Sequence, residues 1–248
     1  MAYPDYCSLT FNGKLLDQII DGYTTINVEG RGLTGRALSV VDVPGSDGDI
    51  TLSSKTPAKE LIVRFLIRAT SSEAHLATLQ ELQEALETKG AVQFSFGDED
   101  GFYRIGQLAG AVNPPFDRHN GQGSFVLRCS DPYKYKAITQ LTGASLVVPG
   151  ASVYPHRIKT IEATIAATRT GFMITNTTTA KKIILTGSFP SGQKLVINPE
   201  TGTITLNGAN IKNRLNFLLS DWRQFELHSG DAITADGAIT IKLEERAR

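Results

Sequence analysis

Short strand-like segments, separated by turns rich in Gly, Pro and Asn, run through almost the entire chain. In the first half they lie at residues 37–43, 59–69, 92–96, 103–108 and 124–128. In the segment 59–69 an apolar residue stands at every second position from Leu61 to Ile67. These residues share one face, which predicts a strand with one buried face. A chain with so many segments of this kind is predicted to be mainly β.

One segment departs from this pattern and predicts a helix at residues 73–88. Four leucines recur there at helical spacing, namely Leu76, Leu79, Leu82 and Leu86. Ser72 is a suitable N-cap, and Gly90 suits the C′ position. Because the leucine stripe lasts barely two heptads, it predicts an amphipathic helix packed on a sheet and not a coiled coil.

The composition changes after Tyr135, which predicts a domain boundary between residues 1–136 and 137–248. Residues 137–155 contain Gly, Pro and small residues and predict a linker or a loose first hairpin. Short strands are then predicted at 161–166, 172–176, 182–186, 194–198, 203–206, 224–227 and 238–243. Asn207-Gly208 is a strong type I′ hairpin signal. Regularly spaced short strands of this kind favour a β-sandwich.

The overall composition predicts a globular protein made in the cytoplasm. Hydrophobic residues make up 41% of the 248 residues, and no apolar run approaches the ~20 residues of a membrane span. Residues 1–6 lack the features of a signal peptide, so none is expected. Cys7 and Cys129 are expected to be small buried hydrophobes and not a disulfide.

The net charge is zero, but the two halves of the chain differ. Residues 1–134 carry 12 Lys and Arg against 17 Asp and Glu, a balance of −5. Residues 135–248 carry 13 against 8, a balance of +5. This is not the basic signature of a nucleic-acid-binding protein. The asymmetry suggests two units in different surroundings, although ordinary variation in solvated charge also explains a difference of this size.

Residues 30–35 match the G-x-G-x-x-G pattern of nucleotide-binding loops. Dinucleotide binding requires a helix directly after the loop, whereas the strand-like segment 37–43 follows here. A kinase glycine-rich loop has Val where Ala37 stands, and its H-R-D and D-F-G partner motifs are missing from the sequence. The prediction is instead a flexible loop that closely approaches another backbone.

No residue pattern predicts catalysis, a metal site or a cofactor. Residues 98–101 form an acidic turn, but a calcium loop would need Glu at its twelfth position, where Ala109 lies. The four histidines are scattered, and neither a zinc motif nor a G-x-S-x-G elbow occurs. Paired carboxylates that meet only in the fold stay an open alternative, which would make the chain an enzyme of cell-wall degradation.

Two aromatic residues of the second half, Trp222 and Phe189, are candidates for stacking on a sugar ring. The alternative is that both belong to the core, because large aromatic side chains dominate the cores of β-sandwiches. The stacking role would make the chain a carbohydrate-binding adhesion module.

Eight short motifs occur in an order that is similar to that of a known protein family. In the first half they are LTFNG (9–13), VEGRGLTGR (28–36), VPGSDGD (43–49) and CSDPYKY (129–135). In the second half they are ITN (174–176), GSF (187–189), LNG (206–208) and SDW (220–222). Together they resemble the distal tail proteins of long, non-contractile bacteriophage tails. Ser229 departs from the family pattern, in which Pro is expected before Gly230.

This resemblance implies both a fold and a structural role. The expected fold has an N-terminal β-sandwich or barrel-like domain with one α-helix and a hairpin arm. A galectin-like or carbohydrate-binding-module-like β-sandwich follows it. The expected role is a hexameric ring that joins the tail tube protein, the tape measure protein and the tail-tip protein. DNA would pass through its channel without specific binding, and the chain would be no enzyme.

The candidate subunit contacts are the loops 30–36 and 44–49. They comprise Gly30, Arg31, Gly32, Gly35, Arg36, Pro44, Gly45, Asp47 and Gly48. A further hypothesis is that the acidic excess of the first domain partly faces the channel and repels DNA. The alternative function is an adhesion module that binds a host surface glycan without ring assembly.

Overall fold

The protein, seen in a computed structural model, is described over residues 7–45, 47–99, 101–115 and 119–248. Residues 1–6, Ser46 of the second loop and Asp100 of the acidic turn lie outside the described residues. The chain divides into two compact units, unit 1 (Met1–Lys134 with Arg248) and unit 2 (Tyr135–Ala247). Strands predominate in both units, which confirms the mainly β fold class.

Unit 1 is built mainly from antiparallel strands. Its elements, with β10 at the boundary between the units, are β1 (Leu9–Phe11), β2 (Lys14–Leu15), α1 (Leu16–Ile19), β3 (Tyr23–Glu29), β4 (Ala37–Asp42), β5 (Asp49–Lys55), β6 (Lys59–Arg68), α2 (Ser72–Leu86), β7 (Val92–Phe96), β8 (Phe102–Val112), β9 (Asn120–Cys129) and β10 (Lys134–Lys136). Hydrogen bonds link them in the order β2-β1-β7-β8-β9-β6-β3. Within the part of the chain that the structure describes, β4 and β5 pair only with each other.

Strand β8 lets the sheet of unit 1 change direction. Its first half pairs with β7 through residues 104–106, and its second half pairs with β9 through residues 107–112. A register shift between Leu108 and Gly110 marks a bulge, which bends a strand locally. β6 pairs with β9, and its buried face from Leu61 to Ile67 alternates as the sequence predicts.

Helix α2 packs on this sheet, but its buried face differs from the predicted leucine stripe. Leu82 and Leu86 are buried, whereas Leu76 is 52% exposed and the polar His75 and Thr78 are buried instead. Their hydrogen bonds explain the difference: Thr78 Oγ1 donates to the carbonyl oxygen of Asp21, and His75 Nδ1 lies 3.2 Å from that of His119.

The ends of α2 also differ from the prediction. The N-cap is Ser71, whose hydroxyl accepts a hydrogen bond from the backbone nitrogen of Ala74, and not Ser72. The helix ends at Leu86 with Glu87 as C-cap, so Gly90 lies beyond the C′ position. Among the described residues, no helix combines the length and the apolar character needed to cross a membrane.

Unit 2 forms a second set of antiparallel strands around its own core. Its elements are β11 (Thr139–Val147), β12 (Arg157–Thr164), β13 (Arg169–Asn176), β14 (Lys181–Phe189), β15 (Lys194–Asn198), β16 (Thr203–Leu206), β17 (Ala209–Asn210), a 3-10 helix (Lys212–Arg214), β18 (Ala232–Glu244) and β19 (Arg246–Ala247). The strand order is β14-β13-β18-β12-β15-β16-β17, and β11 also pairs with β18. Asn207 and Gly208 both have positive φ, as the predicted type I′ turn requires.

Two predictions for unit 2 are wrong. Residues 137–155 were expected to be a linker or loose hairpin, but they contain the nine-residue strand β11, which pairs with β18. Residues 224–227 form no strand, although Phe225 and Leu227 are buried. Burial of alternate apolar residues is common to strands and to irregular segments that cross a core, so alternation alone did not separate the two.

Candidate assembly surfaces

The β4–β5 hairpin, called the arm below, has no buried residue among those described. Its large apolar side chains are 38% to 64% exposed, and they are Leu38, Val40, Val41, Val43, Ile50 and Leu52. An isolated two-stranded hairpin is marginally stable in water. A contiguous exposed apolar surface of this kind marks an interaction site. The arm is therefore the leading candidate surface for assembly.

Both faces of the arm carry apolar side chains. The register pairs Val41 with Ile50 on one face, while Leu38 and Val40 lie on the other. A register shift between Ser39 and Val40 adds a bulge. A hairpin that packs on a single surface needs only one apolar face. Two apolar faces are typical of a hairpin that is covered by protein on both sides.

The end of the arm is acidic. Asp42 and Asp49 are directly opposite each other in the register, and Asp47 lies in the connecting turn. Like charges at directly opposed positions destabilise a strand pair. Gly45 and Gly48 both have positive φ in this turn, which glycine adopts without steric cost. Pro44 is exposed, as are Gly45, Asp47 and Gly48.

The arm begins at the loop 30–36, where the sequence predicts close approach to another backbone. At Gly30, with φ of +86°, an added Cβ would lie 2.3 Å from the carbonyl oxygen of Glu60. Gly30 therefore meets that prediction. Gly32 and Gly35 have open space around them. Arg36 is exposed, and its Nε donates to Ser54 Oγ across the arm at 2.5 Å.

Arg31, a predicted contact residue, points into unit 1. Its guanidinium donates to Asp98 Oδ1 at 2.5 Å and lies 5.2 Å from the ring centre of Phe96. The hydrogen bond from Arg31 holds the pKa of Asp98 below its usual range, although partial burial opposes this. Lys59 Nζ donates to the carbonyl oxygen of Arg31 at 3.2 Å. Arg31 thus anchors the loop from which the arm extends.

A second set of charges reinforces this anchor. Arg104 is only 2% exposed and forms a bidentate pair with Glu99, while Lys134 Nζ donates to Glu99 Oε1 at 2.9 Å. Burial opposes ionisation of Glu99, but the hydrogen bonds from the two cations lower its pKa to about 2. Burial of Lys59 and Arg104 was not predicted from the sequence, because a lone cation within a strand is usually solvated.

The two candidate sugar-stacking residues belong to the core of unit 2 to different degrees. Phe189 is fully buried, with Arg214 over its ring at 5.6 Å, so no face of the ring is available to a sugar. Trp222 is partly buried and packs against the same core. The described residues also contain no cluster of three or more His, Cys, Asp or Glu able to hold a metal ion.

Comparison with known protein families places the chain among phage tail proteins. Residues 12–129 match the model described as phage tail protein RIFT-related domain. Residues 155–246 match the model described as siphovirus-type tail component, C-terminal domain. These matches and the mainly β two-unit fold define a structural component of the siphovirus tail.

Similarity to individual proteins is more specific. The distal tail protein of Bacillus phage SPP1 is 26% identical over 235 residues, which cover 92% of each chain. The crystal structure of SPP1 Dit, described as a paradigm of the hub adsorption apparatus of Gram-positive-infecting phages, matches with a TM-score of 0.83. That match has 18% identity and covers 97% of this chain and 99% of the SPP1 chain. The chain belongs to the distal tail protein family.

Family membership confirms several predictions from the sequence. The protein is a structural virion protein of the tail tip and not an enzyme. A chain in the solved baseplate of phage P2 in its activated conformation is less similar, with a TM-score of 0.48 and 10% identity over 91% of each chain.

Proposed function

We propose that six copies of the protein form a ring at the distal end of a non-contractile tail. The ring joins the tail tube, the tape measure protein and the tail-tip protein and leaves a channel for DNA. Unit 1 forms the ring, and unit 2 is a galectin-like sandwich. The observation that carries this proposal is the arm, whose apolar residues have no partner surface among the described residues of its own chain.

A ring requires that one patch of each subunit bind a different patch of its neighbour. The arm meets this requirement, because it extends from a fixed base at Gly30 and Arg31 and exposes two unpaired strand edges. A neighbour can complete these edges by hydrogen bonding and can bury the apolar faces. The loops 30–36 and 44–49 are accordingly proposed as subunit contacts. Within the first loop, Arg31 has a positioning role and Arg36 is the exposed candidate.

The charge of unit 1 supports a channel that does not hold DNA. Residues 1–134 have a balance of −5, and the exposed carboxylates of the arm contribute to it. An acidic wall repels the phosphate backbone, so DNA passes without being bound. A ring structure with a basic lumen would contradict this part of the proposal.

The ring is tested by replacing arm residues with charged ones. Leu38→Asp combined with Ile50→Asp places one carboxylate on each apolar face of the arm. Val153→Asp, at an exposed apolar position of unit 2, is the matched control. Light scattering should give about six times the chain mass of 26.8 kDa for the wild type and the control, and one chain mass for the double variant.

Negative-stain images of the same fractions should show rings with a central hole in the wild type and the control alone. A wild-type protein that stays monomeric even with its tail-tip partner present would contradict the ring. Rings formed by the double variant would contradict the role of the arm. The carbohydrate-binding alternative gains no support from the structure, because Phe189 is buried and Trp222 packs against the core.

A further inference from the structure

Unit 2 presents three consecutive large apolar residues to solvent. Phe217, Leu218 and Leu219, called the apolar turn below, are all exposed, and Leu218 is 97% exposed. Single exposed apolar residues are ordinary on protein surfaces, but a contiguous group of three marks an interaction site.

The base of the apolar turn is fixed by hydrogen bonds to the outer edge of β14. The backbone nitrogen of Asn216 donates to the carbonyl oxygen of Ile184 at 2.9 Å, and the nitrogen of Ile184 donates to Ser220 Oγ at 2.9 Å. The backbone nitrogen of Asp221 donates to the carbonyl oxygen of Lys182 at 2.8 Å. The apolar turn is therefore held outward in a defined conformation, which lowers the entropic cost of binding.

The surroundings of the apolar turn are basic. The exposed side chains of Lys212 and Arg223 flank it along the chain, and within residues 212–223 Asp221 is the single acidic residue. Arg214 also lies in this segment, but its guanidinium is engaged by the carbonyl oxygen of Ser188 and the ring of Phe189. Asp221 is already engaged, since Lys181 Nζ lies 3.4 Å from its Oδ1 and the backbone nitrogen of Lys182 donates to its Oδ2. A partner for this surface needs an apolar socket with an acidic border.

Unit 1 carries an apolar groove beside a helix whose exposed charged side chains are acidic. It lies beside α2 and is called the α2 groove below. The groove has a volume of about 210 Å³, and its apolar lining includes Leu76, Leu79, Leu82, Leu86, Leu108 and Phe125. The exposed side chains of Glu73, Glu81 and Glu84 lie on α2, with Glu87 at its C-cap. The helix itself contains no Lys or Arg, and one cation, Lys89, follows two residues after its C-cap.

We propose that the apolar turn of one copy inserts into the α2 groove of a second copy. The opposite charges of the two borders favour this pairing. The arm fits the same groove less well, because Asp42, Asp47 and Asp49 would face the glutamates of α2. The inference needs assembly of copies, as the proposed function does, but it uses two surfaces that the arm does not include.

The test is a disulfide between two different chains. Leu218→Cys is made in one chain and Gln83→Cys, at an exposed position lining the groove, in another. Both carry Cys7→Ser, and the buried Cys129 is retained. The chains are co-expressed and oxidised mildly. A linked heterodimer is expected, with several-fold higher yield than when Lys14→Cys on the edge strand β2 replaces Gln83→Cys.

Charge reversal provides a second measurement. Arg223→Glu should lower the yield of the linked heterodimer, and Glu87→Lys in the other chain should restore it. A yield no higher than that of the Lys14→Cys control overturns the inference, and persistence of rings in that sample would leave the proposed ring intact. A linked heterodimer that survives Leu38→Asp with Ile50→Asp supports a contact independent of the arm.

A lipid surface is the competing occupant, because apolar turns with basic borders also bind anionic bilayers. Flotation with phosphatidylglycerol vesicles that is abolished by Leu218→Asp, together with no heterodimer above the control, would assign the turn to lipid and overturn the inference.

Discussion

The β13–β14 hairpin of unit 2 and the arm of unit 1 are both antiparallel pairs rich in β-branched and aliphatic residues. In β13–β14 the alternate residues Phe172, Ile174, Ile183 and Leu185 are buried. Its outer edge is covered by the segment 215–221 through Ser220. In the arm no described residue is buried, and neither edge pairs with another of the described strands. The chain thus completes one hairpin by itself and leaves the other exposed.

The largest effect is expected when one leucine side chain of each hairpin is truncated to alanine. Leu185→Ala removes a buried side chain and should lower the free energy of unfolding of unit 2 by about 2–5 kcal/mol. Leu38→Ala in the arm should change the stability of the free protomer by less than about 0.5 kcal/mol. Urea unfolding followed by the fluorescence of Trp222, the only Trp, reports unit 2, and hydrogen exchange of the α2 amides reports unit 1. Equal losses would mean that the arm packs within its own chain.

A smaller effect is expected at Gly30, where the arm joins the rest of unit 1. Gly30→Ala forces a Cβ against the carbonyl oxygen of Glu60 at positive φ, and about 1–3 kcal/mol of stability of unit 1 should be lost. Gly35→Ala is the control, because nothing lies within 4 Å of the added atom and φ is not positive. Thermal unfolding followed by circular dichroism measures both. If the two variants lose the same amount of stability, the close approach of Gly30 to Glu60 does not hold the base of the arm.

A third test concerns the pH dependence of the stability of unit 1, to which Glu99 contributes through its pairs with Arg104 and Lys134. The folded pKa of Glu99 is about 2, below its ordinary value of 4.5. Its ionised form therefore stabilises unit 1 above about pH 4.5, and this contribution is lost as the pH falls towards 2. Glu99→Gln should flatten that part of the stability profile, as measured by hydrogen exchange of α2 between pH 5 and 2. Glu81→Gln, on the exposed side of α2, should leave the profile unchanged.

The positions of many strands were predicted well from the sequence, and their burial was predicted poorly. Alternation and turn residues identified β6, β7, β15 and β16, because local chemistry determines where a strand starts and turns. The same signals predicted a strand at 37–43, but nothing in them distinguishes a strand that packs from one that remains exposed. Burial depends on which surfaces the rest of the chain, or another chain, provides.

Sequence patterns were also insufficient for the polar residues that fix the candidate surfaces. Arg31 was predicted as a contact residue from its place in a glycine-rich loop, but Asp98, distant in sequence, holds it inward. Similarly, Thr78 replaces Leu76 on the buried face of α2 because the carbonyl oxygen of Asp21 accepts its hydroxyl hydrogen. Such partners are brought together by the fold and leave no periodic trace in the chain.

The opposed aspartates at the end of the arm have a consequence for the lifetime of the free protein. Because each arm ends in Asp42 and Asp49, like charges on two free molecules repel and discourage their arm tips from adding edge to edge into a growing sheet. The repulsion is screened as ionic strength rises. Newly synthesised protein would therefore stay monomeric longest at low ionic strength, and added salt would speed association through the arms.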